Sequence, residues 1–294
     1  MNKDRFQLTI SLNVLEHLGI NLYSNVSSVL SETVANAWDA DAETVRIDWD
    51  RGNRRIVIQD DGTGMTASDV NARFLKVGYR RRDEQPGRTL KNRRPMGRKG
   101  IGKLSLFSIA ATVDVETVKE GEKSAFRMRL DDIRREVEAQ GGAGTYRPSE
   151  LPTEGIEFGH GTRIILSGLR HRQTTATSRA LRRRVARRFS ILGTECCFTV
   201  VIDGQEVVPA DRDYYDKLQY LWTYGEQNAV VDLSGGTELV ESRPLLGLEQ
   251  ELGISGWLGT VKESKQLKDE EGDNLNRIAI FMRGKMAQED ILVL

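Results

Sequence analysis

The stretch from Asn21 to Met65 constrains the fold more than any other, because the hydrophobic period changes within it. Val26, Val29, Leu30, Thr33 and Ala37 recur at helical spacing, and serine and asparagine are available as N-caps, so one helix is expected over residues 21–40. The next segment, TVRIDWD, alternates Val45, Ile47 and Trp49 with polar partners. Arg51-Gly52-Asn53 supplies turn chemistry, and RRIVIQD offers a second strand. A helix running into a hairpin predicts a helix-backed sheet.

The remainder extends that pattern. Thr66 with Asp69 three residues on predicts a short capped helix to about Leu75. Residues 78–98 are polar and basic, with two prolines and no apolar period, and are expected to form a long loop without a packed element. An apolar helix is expected from Lys103 to Ala111, then strands near TVDVETV, SAFRMRL and GTRIILSGL, with a Gly-rich insertion from Gln140 to Gly144. A basic helix is expected between about Thr177 and Leu192, with its arginines mainly on a solvated face. CCFTVVIDG and NRIAIFMRG then read as strands of a second domain. A chain of 294 residues is long enough for two cores, which we place at 1–168 and 169–294.

Composition excludes several classes. Lys and Arg total 43 and Asp and Glu total 43, so the whole-molecule field gives no bulk attraction to nucleic acid or membrane. No apolar run approaches a bilayer span, and the first twenty residues lack the apolar centre of a signal peptide, so no membrane partner and a cytoplasmic location are expected. Cys196 and Cys197 are adjacent and read as two reduced thiols in a strand. His17, His160 and His171 are scattered, without ligand spacing for zinc.

Four short motifs carry candidate chemistry. Glu32, Asn36 and Asp39, four and three residues apart, point from one helix face into one space. An amide oxygen from Asn36 suffices as a protein anchor for magnesium whose shell is completed by phosphate oxygens, and Glu32 one turn away is placed to take a proton from an attacking water. Asp60 closes a strand and can accept from an exocyclic amine, while Gly62 and Gly64, before Met65, let the backbone pass close to a flat ligand. Gly97, Gly100 and Gly102 precede a helix, so their amides and Lys103 are candidates for phosphate contact. GRKGIGKL follows P-loop spacing up to Lys103, but Leu104 stands where a hydroxyl must serve magnesium, and no apolar strand leads in. Thr162 opens a strand and offers a hydroxyl beside Asp60. Each motif alone has an ordinary explanation as a helix face, a turn or a strand start. The combination gives them meaning.

In order and spacing, ETVANAWDA, DDGTGM, GRKGIGKLSLFSIA and the pair Gly161-Thr162 resemble the four signatures of the gyrase, heat-shock-chaperone, histidine-kinase and MutL (GHKL) ATPase superfamily over about residues 10–168. The first motif looks most like ninety-class heat-shock chaperones, MutL proteins and MORC-type ATPases. Histidine kinases lack the general-base glutamate matching Glu32, which points to water as phosphoryl acceptor. The resemblance implies a Bergerat-type α/β sandwich, an α+β fold with helices on one face of a mixed sheet, followed by a smaller transducer-like α/β domain. It implies Glu32 as water-activating base, Asn36 as magnesium ligand and Asp60 as acceptor for the adenine amine. Gly62, Gly64 and Met65 would cradle adenine, Thr162 would support base recognition, and Gly97, Gly100 and Gly102 would form the phosphate end of a lid spanning Gly78 to Arg98. Asp39 matches a polar residue near the nucleotide. Lys262, Lys265 and Lys285 are candidates for the basic residue that the second domain sends to the terminal phosphate. The implied function is ATP binding and hydrolysis with magnesium, driving lid closure and homodimerisation as a conformational switch on a nucleic-acid or protein client. The alternative is an ATP-gated nucleic-acid clamp or sensor in repair or defence. The chain stops just after an apolar run, which suggests that it once continued.

Overall fold

A computed structural model describes residues 6–11, 26–76, 87–97, 102–169, 177–193, 196–270 and 272–292. Two compact units emerge: Met1–Val207 with Met282–Lys285, and Val208–Phe281 with Met286–Leu294. The division falls later in the chain than the expected boundary near residue 168, because Leu181, Val185, Phe189, Phe198, Val200 and Ile202 lie in the first unit's core.

In the first unit, strand β1 (Leu8–Ser11) precedes helix α1 (Val26–Asp39), followed by the hairpin β2 (Thr44–Asp50) and β3 (Arg55–Asp60). Val45, Ile47 and Trp49 face inward in β2, as its alternation requires. Thr66 caps the next turn: its hydroxyl accepts from Asp69 N–H at 3.1 Å, and Asp69 accepts from Thr66 N–H at 3.3 Å. The helix expected at Lys103–Ala111 is instead a 3-10 helix over Gly102–Ser108, in which Ser108 Oγ bonds Ser105 O three residues back at 2.6 Å. Then come β4 (Thr112–Lys119), β5 (Glu122–Arg129), a helix α2 (Leu130–Ala139), β6 (Ala143–Tyr146), β7 (Ser149–Glu150) and β8 (Gly161–Ser167). Helix α3 (Ser178–Arg188), capped by Thr177, leads to β9 (Thr199–Ile202) and β10 (Gln205–Glu206).

Eight strands form one mixed sheet in the order β10-β9-β2-β3-β8-β4-β5-β7. All neighbours run antiparallel except β2 and β9. Helices and sheet together make the α/β sandwich. Its core joins Val29, Leu30 and Val34 of α1 with Ile47, Ile58, Leu166 and Phe107.

Two expectations are corrected here. The strand within CCFTVVIDG belongs to the first unit, since Phe198, Val200 and Ile202 are buried in the main core; the two cysteines are exposed thiols ahead of it. The α3 arginines are not all solvated either. Arg183 and Arg187 are buried where α3 packs on α1 and β9, while Arg179 is exposed and Arg182, Arg184 and Arg188 are partly exposed.

In the second unit, β11 (Leu218–Tyr224) pairs in parallel with β12 (Glu238–Arg243) across helix α4 (Asn228–Leu233), and antiparallel with β13 (Gly256–Val261). Its small core gathers Tyr215, Leu221 and Val230, with Tyr214 and Trp257 rings 5.5 Å apart. A last pair, β14 (Ile280–Met282) and β15 (Lys285–Gln288), carries the turn that is counted with the first unit. Among the described residues, no helix is long and apolar enough to cross a membrane.

Candidate active site

Helix α1 is buried almost all round. Of its 14 residues only Glu32 and Asn36 escape burial, Glu32 partly and Asn36 fully. They stand one turn apart, about 6 Å along the axis. A helix that hides every other residue yet presents one carboxylate and one amide on a single stripe leaves that stripe open to something polar.

Glu32 already has a partner. Lys285 Nζ lies 2.7 Å from Glu32 Oε1, with the two side chains 18% and 24% exposed. The backbone sets Lys285 there: Phe189 and Lys285 form an antiparallel bridge, and Ser190 N–H donates to Gly284 O at 2.9 Å. Of the three lysines considered, Lys262 and Lys265 lie exposed in the second unit, and Lys265 pairs with Glu263 at 2.6 Å.

The end of α1 abuts the Asp-Gly bend. Thr63 N–H donates to Ala40 O at 2.8 Å, and a Cβ on Gly62 would meet that same oxygen at 2.8 Å. Gly64 has φ +64°, and a Cβ there would fall 1.9 Å from Val118 O, so the bend requires glycine for close approach as well as conformation. Asp61 is a structural residue: its Oδ1 accepts from Glu43 and Thr44 N–H at 2.7 and 2.8 Å.

Asp60 and Thr162 are register partners at the adjoining ends of β3 and β8. Desolvation pushes the Asp60 carboxyl up to about 7; neighbouring Asp61 raises it too, while backbone bonds from Gly62 and Thr162 pull the other way. Thr117 ties this corner together. Its hydroxyl donates to Gly161 O at 3.1 Å, accepts from Met65 N–H at 2.8 Å, and lies 3.4 Å from the Thr162 hydroxyl. Nothing in the sequence marked Thr117, because a threonine inside a strand is ordinary.

The Gly-rich stretch is placed only in part. Gly100 and the side chain of Lys103 lie outside the described residues, as do His17 and His171; the backbone of Gly102 opens the 3-10 helix. Gly97 donates its N–H to Asp39 Oδ2 at 2.9 Å, and Met96 donates to Asp39 Oδ1 at 2.7 Å. A Cβ on Gly97 would meet that carboxylate at 2.8 Å, so the contact with Asp39 by itself favours glycine here.

Residues 87–97 form a loop without helix or strand, as expected, but the loop is tied down at several points. Thr89 Oγ1 and Lys91 N–H bond Asp41, and buried Arg93 stacks 4.3 Å from the Trp38 ring centroid while donating to the carbonyls of Ala42 and Cys197. Trp38 Nε1 donates to Arg94 O at 3.1 Å. The acids and the indole at the end of α1 supply the anchors that the segment's own composition lacks.

Residues 23–162 match the family described as histidine kinase-, DNA gyrase B- and HSP90-like ATPases. A protein of Herpetosiphon aurantiacus named as a candidate type II restriction enzyme, HgiDII, is 36% identical over all of this chain and 47% of its own length. The chaperone protein HtpG of Pseudoalteromonas translucida is 29% identical over 72% of this chain and 36% of its own length. The DNA mismatch repair protein MutL of a Bradyrhizobium strain, BTAi1, is 28% identical over 62% of this chain and 28% of its own length. The chain thus spans less than half the length of these relatives.

Proposed function

The chain belongs to the GHKL superfamily of histidine kinase-, DNA gyrase B- and HSP90-like ATPases, and from that membership we propose that it binds ATP between Asp60 and α1 and hydrolyses it with Glu32 as general base. The observation that carries this reading is the single open stripe on α1: a helix otherwise buried presents Glu32 and Asn36 alone.

The purine would rest on the bend formed by Gly62, Gly64 and Met65, its exocyclic amine donating to Asp60 and Thr162 supporting that contact. The tight backbone there fits a flat ring, because a side chain at Gly62 or Gly64 has no room. The triphosphate would then run along α1. Asn36 offers a hard, exposed amide oxygen suited to magnesium, which when bound would screen phosphate charge. Glu32 would accept the proton of the attacking water. Lys285, already beside Glu32, would place its ammonium against the negative charge of the terminal phosphate. Gly100, Gly102 and Lys103 complete the phosphate contacts in this reading, and Asp39 acts through the backbone. Nucleotide-driven closure, association of two copies and a transducer role for the second unit follow as the functional cycle.

Calorimetric titration with ATP tests the placement. Wild type should bind and Asp60→Asn should lose affinity, because the amide turns a donor toward the adenine amine. Unchanged binding by that variant would remove Asp60 from the purine site.

A second reading, an ATP-gated module acting on DNA, is favoured by the alignment of the whole chain with the HgiDII protein. It predicts DNA affinity that changes on ATP addition and falls steeply with salt. Absence of DNA binding at low salt, with and without ATP, would rule it out.

A further inference from the structure

Lys285 reaches Glu32 from 253 residues away in sequence, and the turn that delivers it is held by contacts that lead back to the same helix. Arg283 Nη1 donates to Pro95 O at 3.1 Å. Pro95 lies within a short strap bonded to the end of α1 on both sides: Arg94 O accepts from Trp38 Nε1 at 3.1 Å, and Met96 and Gly97 N–H donate to Asp39 at 2.7 and 2.9 Å. Gly284 sits close by, with room for no side chain: a Cβ would meet Ile191 Cγ2 at 2.3 Å and Met96 Cε at 3.2 Å. The contacts close a ring, from α1 through the strap to the Arg283–Lys285 turn and back through Lys285 to α1.

We propose that Asp39 and Arg283 are positioning residues: Asp39 fixes residues 94–97 as the seat for the Arg283–Lys285 turn, and Arg283 docks the turn there, setting Lys285 against Glu32. The proposal rests on the roles given above to Glu32 and Lys285. A buried carboxylate retained against its desolvation cost needs strong partners, and two backbone N–H groups supply charge-assisted bonds that fix the strap's direction. Lysine carries its charge on a flexible four-carbon stem, so the accuracy of its placement comes from the backbone that bears it. A displacement of about 1 Å at a reacting group can cost about 100-fold in rate, so the seat governs turnover more than nucleotide affinity. ADP, which lacks the terminal phosphate, should be blind to the ring.

Two measurements on the full chain test this. In steady-state ATP turnover, Asp39→Asn and Arg283→Ala should each lower kcat by at least about tenfold, with ADP affinity nearly unchanged, and the double variant should be no worse than the poorer single. Arg283 is exposed, so that variant remains informative if the Asp39 change impairs folding. Multiplying losses in the double variant, or wild-type kcat in Arg283→Ala, would overturn the proposal. The second measurement needs no nucleotide: Glu32→Gln and Lys285→Met should be non-additive in their effect on the denaturation midpoint, and that coupling should vanish in an Arg283→Ala background. Coupling that persists undiminished would sink the positioning role. If wild type neither binds nor hydrolyses ATP, the functional assignment fails, while the coupling measurement still decides the ring.

Discussion

Asp60 would combine two opposing demands in the proposed site, being desolvated at the end of a strand yet asked to accept a hydrogen bond. Its carboxyl, raised from 3.8 to about 7 in the folded protein, makes the pH dependence specific. A group raised in this way contributes stability that is fully present below the unfolded value and is lost as pH rises through about 7. The ligand-free protein should therefore lose stability from this site between about pH 4 and 7, and Asp60→Asn should flatten that slope in denaturant titrations at several pH values. ATP binding should run the other way. In the proposed site the ionised form would accept from the adenine amine, so affinity should climb as pH rises through about 7, with the charges of Asp61 and His160 acting on the midpoint. An affinity independent of pH across that interval would contradict the assignment. Lys285 offers another residue-scale prediction: Lys285→Ala should reduce ATP turnover while costing about 1 kcal/mol of stability or less, since its pair with Glu32 is only partly shielded.

At the scale of elements, the α1 stripe, the β2–β3 hairpin and the Thr66 cap are local patterns, and local patterns were readable. Each follows from spacing along a few turns or strand positions. The 3-10 helix at Gly102–Ser108 was not readable, because its apolar residues fit an α-helix equally well. Helix α2 is hidden in the sequence because charged residues dominate it, although Leu130, Ile133 and Val137 are buried at helical spacing. Residues 87–97 are the loop that their composition implies, but their anchoring has no local signal: it comes from Trp38 and Asp39 of α1 and from Asp41 just after it. Arg93→Met should consequently destabilise the unit by about 1–3 kcal/mol, measured by denaturant unfolding, through loss of its carbonyl bonds and stacking. Gly64→Ala should cost as much or more. It combines a positive φ with backbone overlap, and a stability within error of wild type would show that the bend can move.

For the whole molecule, the pairings that matter span long separations. Strand β9 joins the main sheet beside β2, and Lys285 returns to Glu32, neither of which any local period encodes. The candidate-site residues could be named from the sequence because their motifs concentrate polar chemistry in short segments, whereas the order of the sheet depends on pairings between distant segments. Thr117, which ties the Asp60–Thr162 corner together, and Arg283, two residues before Lys285, carry no local signal. If closure brings two copies together, the mass in solution should double on adding a non-hydrolysable ATP analogue, measured by light scattering, and return on its removal. The sharpest test compares phosphate release from wild type and Glu32→Ala at ATP concentrations that saturate both. The account predicts a loss of about 100-fold or more in the variant with ATP still bound. Release at the wild-type rate, from an enzyme whose nucleotide occupancy is verified in the same sample, would contradict it.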